Sequence, residues 1–263
     1  MAIFEADRGV AATAVEQPAA QLLLRPEHVG AYDAVLFYDM SGIELSGRRG
    51  EGAGAFVAPP DDYRHSVEAL LESGTGIVLL NHALVSWPAW PLWRELSGSS
   101  FLLRGGELSG QQQPASGFRG GAGELERNAS MRLRSDAPGH PVLAGIEEGF
   151  EVRDELYLKT AGFESQVLPL LRSDYAFEQE NFSVSPLASA EERAAWSHPT
   201  GSDLVVWARA ARRSPVVASE LGDGPEAYSN PGFRRLVGNA VRWVASREAR
   251  AWATETSGLA SRR

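Results

Sequence analysis

Apolar and polar positions along the chain fall into two periods. Ala34-Val35-Leu36-Phe37-Tyr38 is an unbroken apolar run closed by Asp39, and Gly76-Ile77-Val78-Leu79-Leu80 is a second, closed by Asn81-His82. Short runs with no polar position suit strands buried on both faces, as in a parallel sheet. Between them Tyr63, Val67, Leu70 and Leu71 share one helical face. Asp61 or Asp62 can cap that helix and Gly74 can stop it. Ser86 followed by Trp87-Pro88 predicts another helix start. This alternation of strand and helix points to βαβ units.

The flanks are less regular. Residues 2–9 read as the end of a helix stopped by Gly9, Ala12 to Glu16 as a short strand, and Gln21 to Leu24 as a short helix broken by Pro26. Residues 41–58 are rich in glycine and charge and read as a loop. Residues 105–128 carry few large apolar groups and read as a long loop, a lid or a mobile segment. Met131 to Arg134 alternates like a half-exposed strand, and Val167–Leu171, Leu204–Trp207 and Pro215–Ala218 are further strand candidates. The clearest element comes last. Asn230 can cap a helix with Pro231 at its first position, and Phe233, Leu236, Val237, Ala240, Val241 and Val244 form its apolar stripe. The chain therefore reads as one domain over 1–247, with 248–263 a polar, disordered tail; no internal repeat is visible.

Composition narrows the function classes. A length of 263 residues is near the upper limit for one core, and 43% hydrophobic with 22% charged residues is ordinary globular usage. The net charge of −9 disfavours nucleic acid and anionic membrane surfaces. With no cysteine, thiolate nucleophiles, disulfides and zinc–sulfur sites are excluded. No apolar run approaches the roughly 20 residues that span a bilayer. The opening MAIFEADRGVAA lacks a basic then apolar leader, so the expected location is the cytoplasm.

Three segments carry a family likeness. GTGIVLLNHALVSWPAW (74–90) resembles a strand, then His, then a Trp-rich helix of ThuA-like (trehalose-utilisation) proteins. HPVLAGIEEGFEVRDELY (140–157) resembles their His-Pro, Gly, Phe and Asp-Glu-Leu-Tyr pattern, and residues 204–245 are similar to their closing strand, hairpin, Leu-Gly, Asn-Pro-x-Phe and final helix. The resemblance implies a mostly parallel, flavodoxin-like sheet of the class I glutamine-amidotransferase-like type, with helices on both faces, but without the amidotransferase cysteine. Two family histidines are replaced: the position after Leu221-Gly222 is Asp223, and residues 98–104 read GSSFLLR. Relatives also open with a strand and a long helix, whereas this chain starts where that helix would end. The expectation is that the start lies too far downstream and the usual first strand is absent. Residues 1–10 would then be helix, a slot would open beside 34–39 and 76–81, and stability would be poor.

The candidate chemistry gathers where strands end. His82 follows a buried strand, at the sheet edge where open α/β folds bind ligands, and can serve as base, metal ligand or hydroxyl partner. The sequence places it in the molecule's largest concave site. Adjacent Asp154 and Glu155 point to opposite faces if they lie on a strand, so one can serve the site while the other meets Arg153 or a loop amide. His140 before Pro141 reads as a turn cap. Trp87, Trp90 and Trp93 recur every three residues, a core pattern that could also stack on a sugar. Asp39 and Asn81 are polar neighbours for a substrate. Asn128-Ala129-Ser130 fits a glycosylation sequon that a cytoplasmic chain would not use.

Two functions are expected from this set. The resemblance implies an enzyme of carbohydrate catabolism acting on a small glycoside, disaccharide or 3-keto sugar by hydrolysis, lyase or isomerase chemistry. His82 would be the base, Asp154 or Glu155 its acid partner, and Asp39, Asn81, Trp87 and Trp90 would bind substrate. The alternative is a non-catalytic sugar-binding protein on the same scaffold. A metal, a cofactor and a homo-oligomer are left open.

Overall fold

The computed structural model describes residues 2–5, 9–44, 55–108, 111–121, 125–185 and 187–260. Along the chain come α1 (Ala2–Glu5), α2 (Ala20–Leu23), α3 (Pro26–Val29), β1 (Ala34–Phe37), α4 (Asp61–Ser73), β2 (Gly76–Leu80) and α5 (Pro91–Ser97). Then follow β3 (Gly106–Leu108), β4 (Gln111–Gln113), β5 (Gly117–Arg119), β6 (Ala129–Ser135), β7 (Glu151–Asp154), β8 (Leu156–Leu158), β9 (Leu168–Ser173) and β10 (Ser183–Val184). The last third holds α6 (Ala190–Ala195), β11 (Leu204–Ala211), β12 (Ser214–Ser219), α7 (Pro225–Ser229), α8 (Pro231–Val244) and α9 (Arg247–Ala260).

Seven strands form the main sheet in the order β1-β2-β12-β11-β9-β6-β7. Only β1 with β2 and β2 with β12 pair in parallel. From β12 onward the neighbours are antiparallel, which corrects the expected mostly parallel sheet. A short connection at Arg212-Arg213 forces the β11–β12 reversal, because parallel strands need a long crossover. Arg212 takes φ +51 there.

Helices do cover both faces. On one side Val78, Leu80, Val205 and Val217 meet Phe233, Leu236, Val237 and Val244 of α8. On the other, Ile77, Leu79, Val216 and Trp207 meet Tyr63, Val67 and Leu70 of α4, with Trp93 and Leu96 of α5. Every residue of β2 is buried, as its apolar run requires. Gly74 ends α4 with φ +75, and Asn230 Oδ1 caps α8 by accepting from Gly232 N at 2.9 Å and Phe233 N at 3.2 Å.

Several expectations are corrected. β1 is the edge of the sheet and only Phe37 in it is fully buried. Its residues pair directly with Gly76 to Leu79, so no slot separates the two strands and the unpaired-backbone case for low stability has no basis there. Ala2–Glu5 is helix and not strand, as expected; Met1 and residues 6–8 lie outside the described residues. Ala12 to Glu16 is no strand, because an isolated alternation with no partner stays exposed. Asp61 and Asp62 occupy the first turn of α4 and make no cap bond. The tryptophan segment becomes helical only at Pro91. The supposed loop at 105–128 contains the β3–β4 hairpin and β5, which joins β8 and β10 in a second sheet. Of the 41–58 loop, residues 45–54 lie outside the described residues. The tail from 248 is largely α9: Ala249 and Ala253, one turn apart, are buried, and Trp252 packs on Trp243 at 5.3 Å.

Candidate functional site

At the C-terminal end of β2 the chain turns sharply. Asn81 takes φ +40, a left-handed conformation that Asn tolerates better than most residues. It is fully buried, and its amide donates to Glu155 Oε2 at 3.2 Å and to the Glu220 carbonyl at 2.8 Å. The next residue, His82, is lifted to the sheet edge with a third of its side chain exposed. Its Nε2 lies 3.2 Å from Asp223 Oδ1. An Nε2–H donating there leaves Nδ1 as the basic nitrogen. The Tyr38 ring stands 5.4 Å from the imidazole, and its hydroxyl donates to the Asp223 carbonyl at 3.3 Å.

Asp154 and Glu155 take different tasks. Asp154, fully buried at the end of β7, accepts from Gly222 N at 2.6 Å, Glu155 N at 2.9 Å and Asp223 N at 3.3 Å. It therefore shapes the turn that presents Asp223; the loop-amide reading holds, while Arg153 pairs with Glu226 at 3.1 Å. Glu155 faces His82 and Asp223, and the three donor atoms lie within 4.8 Å of one another. One imidazole and two carboxylates could bind a divalent cation. Asp223 holds His82 at Nε2, and Asn81 holds Glu155 at Oε2. A Cβ on Gly121, which has φ +64, would lie 2.0 Å from Glu155 Oε1, so the glycine makes room for this carboxyl.

The electrostatics suit proton transfer. Burial, with Asp223 beside it, pushes the Glu155 carboxyl up to about 7. Burial likewise pushes Asp154 up to about 7 against its three backbone donors. For His82, burial lowers the imidazole, but the Asp223 hydrogen bond and nearby carboxylates outweigh it, and the net shift is upward.

The remaining expected residues are placed elsewhere. Asn81 orients Glu155 and has no exposed surface to offer a substrate. Asp39 binds Gln17 Nε2 at 3.2 Å and Ser41 Oγ at 2.5 Å, bracing the chain after β1. Trp87 and Trp90 are buried against Tyr63, with ring centroids 5.2 and 6.2 Å away, so they are core and offer no platform to a sugar. His140 caps its turn by accepting from Val142 N at 3.3 Å, as expected. A cavity of about 480 Å³ is walled by Arg94, Lys159, Phe163, His198 and Arg209. His82 is not among its walls. Sequence reasoning missed Asp223 and Tyr38 as site members. Both follow strand ends on the edge that carries His82, and that was the available signal.

No curated protein matches the chain. Among solved structures, a ThuA-like protein from Bacteroides uniformis is similar with 17% identity and TM-score 0.54, covering 86% of this chain and 75% of that one. A ThuA-like protein from Parabacteroides merdae is 14% identical over 87% of this chain and 84% of its own, with TM-score 0.49. The family model described as trehalose utilisation, ThuA, matches residues 2–244, and the chain belongs to that family.

Proposed function

We propose that this protein is a cytoplasmic enzyme of carbohydrate metabolism that moves protons on a small glycoside, disaccharide or 3-keto sugar. One observation carries the reading: an imidazole held by Asp223 faces a buried carboxyl raised to about 7, at the edge where a strand meets its elbow. A base beside a carboxyl kept protonated near neutrality is what proton transfer requires. A ketone acidifies the C–H bond beside it. His82 takes that proton through Nδ1, and protonated Glu155 returns one to a departing or neighbouring oxygen. Asp154 positions the Asp223 turn, and Asn81 positions Glu155. ThuA membership supports a carbohydrate role, and no helix among the described residues is long and apolar enough to cross a membrane. The parallel end of the sheet, with the elbow after β2, supports placing the fold with the flavodoxin-like, class I glutamine-amidotransferase-like group. The chain lacks that group's thiol.

The test is turnover of a 3-keto-glycoside and disaccharide panel by wild type, His82→Ala and Glu155→Gln. His82 is partly exposed with Asp223 its main polar partner, so His82→Ala is expected to abolish turnover while moving the melting temperature by less than about 2 °C. Stabilisation of folded wild type by a sugar without any turnover would instead establish the binding-protein reading.

A further inference from the structure

The cavity of about 480 Å³ belongs to neither the His82 group nor the core. It lies beside α5, β11 and the segment after β8, and its walls bring together Arg94, Arg209 and Lys159 with one carboxylate, Glu95. In a chain of net charge −9, that convergence of cations is against the average. Phe163 and Leu102 supply apolar wall.

The three cations are held differently. Lys159 forms the floor: it is 2% exposed, paired with the fully buried Glu220, and its Nζ lies 5.4 Å from the ring centres of both Phe163 and Trp207. Its charge is therefore largely matched inside the protein. Arg94 donates to the Pro88 carbonyl at 2.5 Å, which fixes the guanidinium at the rim. Arg209 donates from Nε to the Ala210 carbonyl at 3.4 Å, a long bond, and its Nη1 would lie 2.9 Å from a Cβ on Gly98. Burial disfavours the charged form of both arginines. A guanidinium held in a recess gains most from a planar, bidentate anion.

We propose that this cavity binds a small organic anion, a carboxylate or phosphate ester, clamped by Arg94 and Arg209 with its polar body toward the serine and glutamine wall. The cavity is large enough for a ligand of sugar size. It is also joined to the acid–base group through buried residues. Glu220, the partner of Lys159, accepts the Tyr157 N–H at Oε2 and the Asn81 amide at its carbonyl, and Asn81 holds Glu155. The binding itself does not depend on the function proposed for His82.

Thermal shift and calorimetry with inorganic phosphate, malonate, glucuronate, glucose 6-phosphate and neutral glucose test this at constant ionic strength. At saturation at least one anion should raise the melting temperature, on the order of 5 °C at a hundredfold excess over Kd, while glucose does not. Phosphates ahead of carboxylates, or the reverse, identifies the head group. Arg209→Gln should weaken binding at least tenfold and Arg209→Lys less. Arg94→Gln is the second variant should Arg209→Gln fail to fold. No shift with any anion, or the same affinity in wild type and folded Arg→Gln variants, overturns the proposal. Retained anion binding in His82→Ala, with turnover lost, separates it from the active-site reading.

Discussion

Asp223 changes what His82 can do. Its carboxylate lies at hydrogen-bond distance from Nε2, which orients the ring and supports its positive charge. Gly121 is the other single residue on which the site depends. Its φ of +64 already disfavours a side chain, and an added Cβ would meet Glu155 Oε1 at 2.0 Å and Cδ at 2.5 Å. The carboxyl would have to leave Asn81 and His82. Gly121→Ala is expected to lower kcat at least tenfold, about 1.4 kcal/mol in transition-state energy, with an unchanged far-UV spectrum. Unaltered steady-state kinetics would show that Glu155 does not act from this position.

At the scale of elements, the site is an assembly of strand ends. The turn after β2 brings Asn81 and His82, the end of β7 brings Asp154 and Glu155, and the turn after β12 brings Asp223. What keeps the last two in register is packing of α7 and α8 behind them, and α8 depends on its cap. Asn230 Oδ1 accepts two backbone N–H bonds, while Nδ2 donates to the Glu151 carbonyl of β7 at 2.7 Å. Asn230→Ala removes both the cap and that tie. It should cost about 1–2 kcal/mol, read as a lower urea midpoint with an unchanged slope. Asn230→Ser, which keeps a cap acceptor and loses the Nδ2 donor, should recover roughly half of the loss. An equal loss in both variants would place the stabilisation in the Glu151 bond alone.

At the scale of the whole molecule, the buried acids set a pH response. Asp154 and Glu155 titrate near 7 in the fold, and near 3.8 and 4.5 as free side chains. The folded protein therefore holds protons that the unfolded chain has released between about pH 4 and 7, so stability declines as pH rises across that window. His82 acts in the same direction, because its folded value is also raised and the stability it contributes is lost as pH rises through it. Glu192, held low, acts oppositely toward pH 4, and so do His140 and His198, lowered by burial, around the ordinary imidazole range and Lys159, pushed down by burial to about 7, above that pH. Wild type is expected to lose melting temperature relative to Glu155→Gln between pH 5 and pH 7, because only wild type gives up the Glu155 proton there. A difference that stays constant over this range would mean that Glu155 is ionised in the fold.

The chain's own pattern determined the parts that depend on local chemistry. Continuous apolar runs made β2 a fully buried strand, a 3.6-residue stripe and an Asn-Pro start made α8, and strict alternation made β6 half-exposed. The elbow position of His82 followed from a strand ending in Asn-His. Those features need only residue type and spacing, because burial and capping act over a few residues. Direction and neighbourhood were decided by tertiary structure. Nothing in the apolar run at 34–38 shows that it is an edge strand, since a half-buried edge and a fully buried strand can share a composition. The antiparallel pairings from β12 to β7 depend on which strands meet across long separations. Tryptophans at three-residue spacing read alike as core or as sugar platform until Tyr63 is seen packed on them. Asp223 joins His82 only because residues 141 positions apart end on the same edge of one sheet, and that meeting depends on the fold of the entire chain.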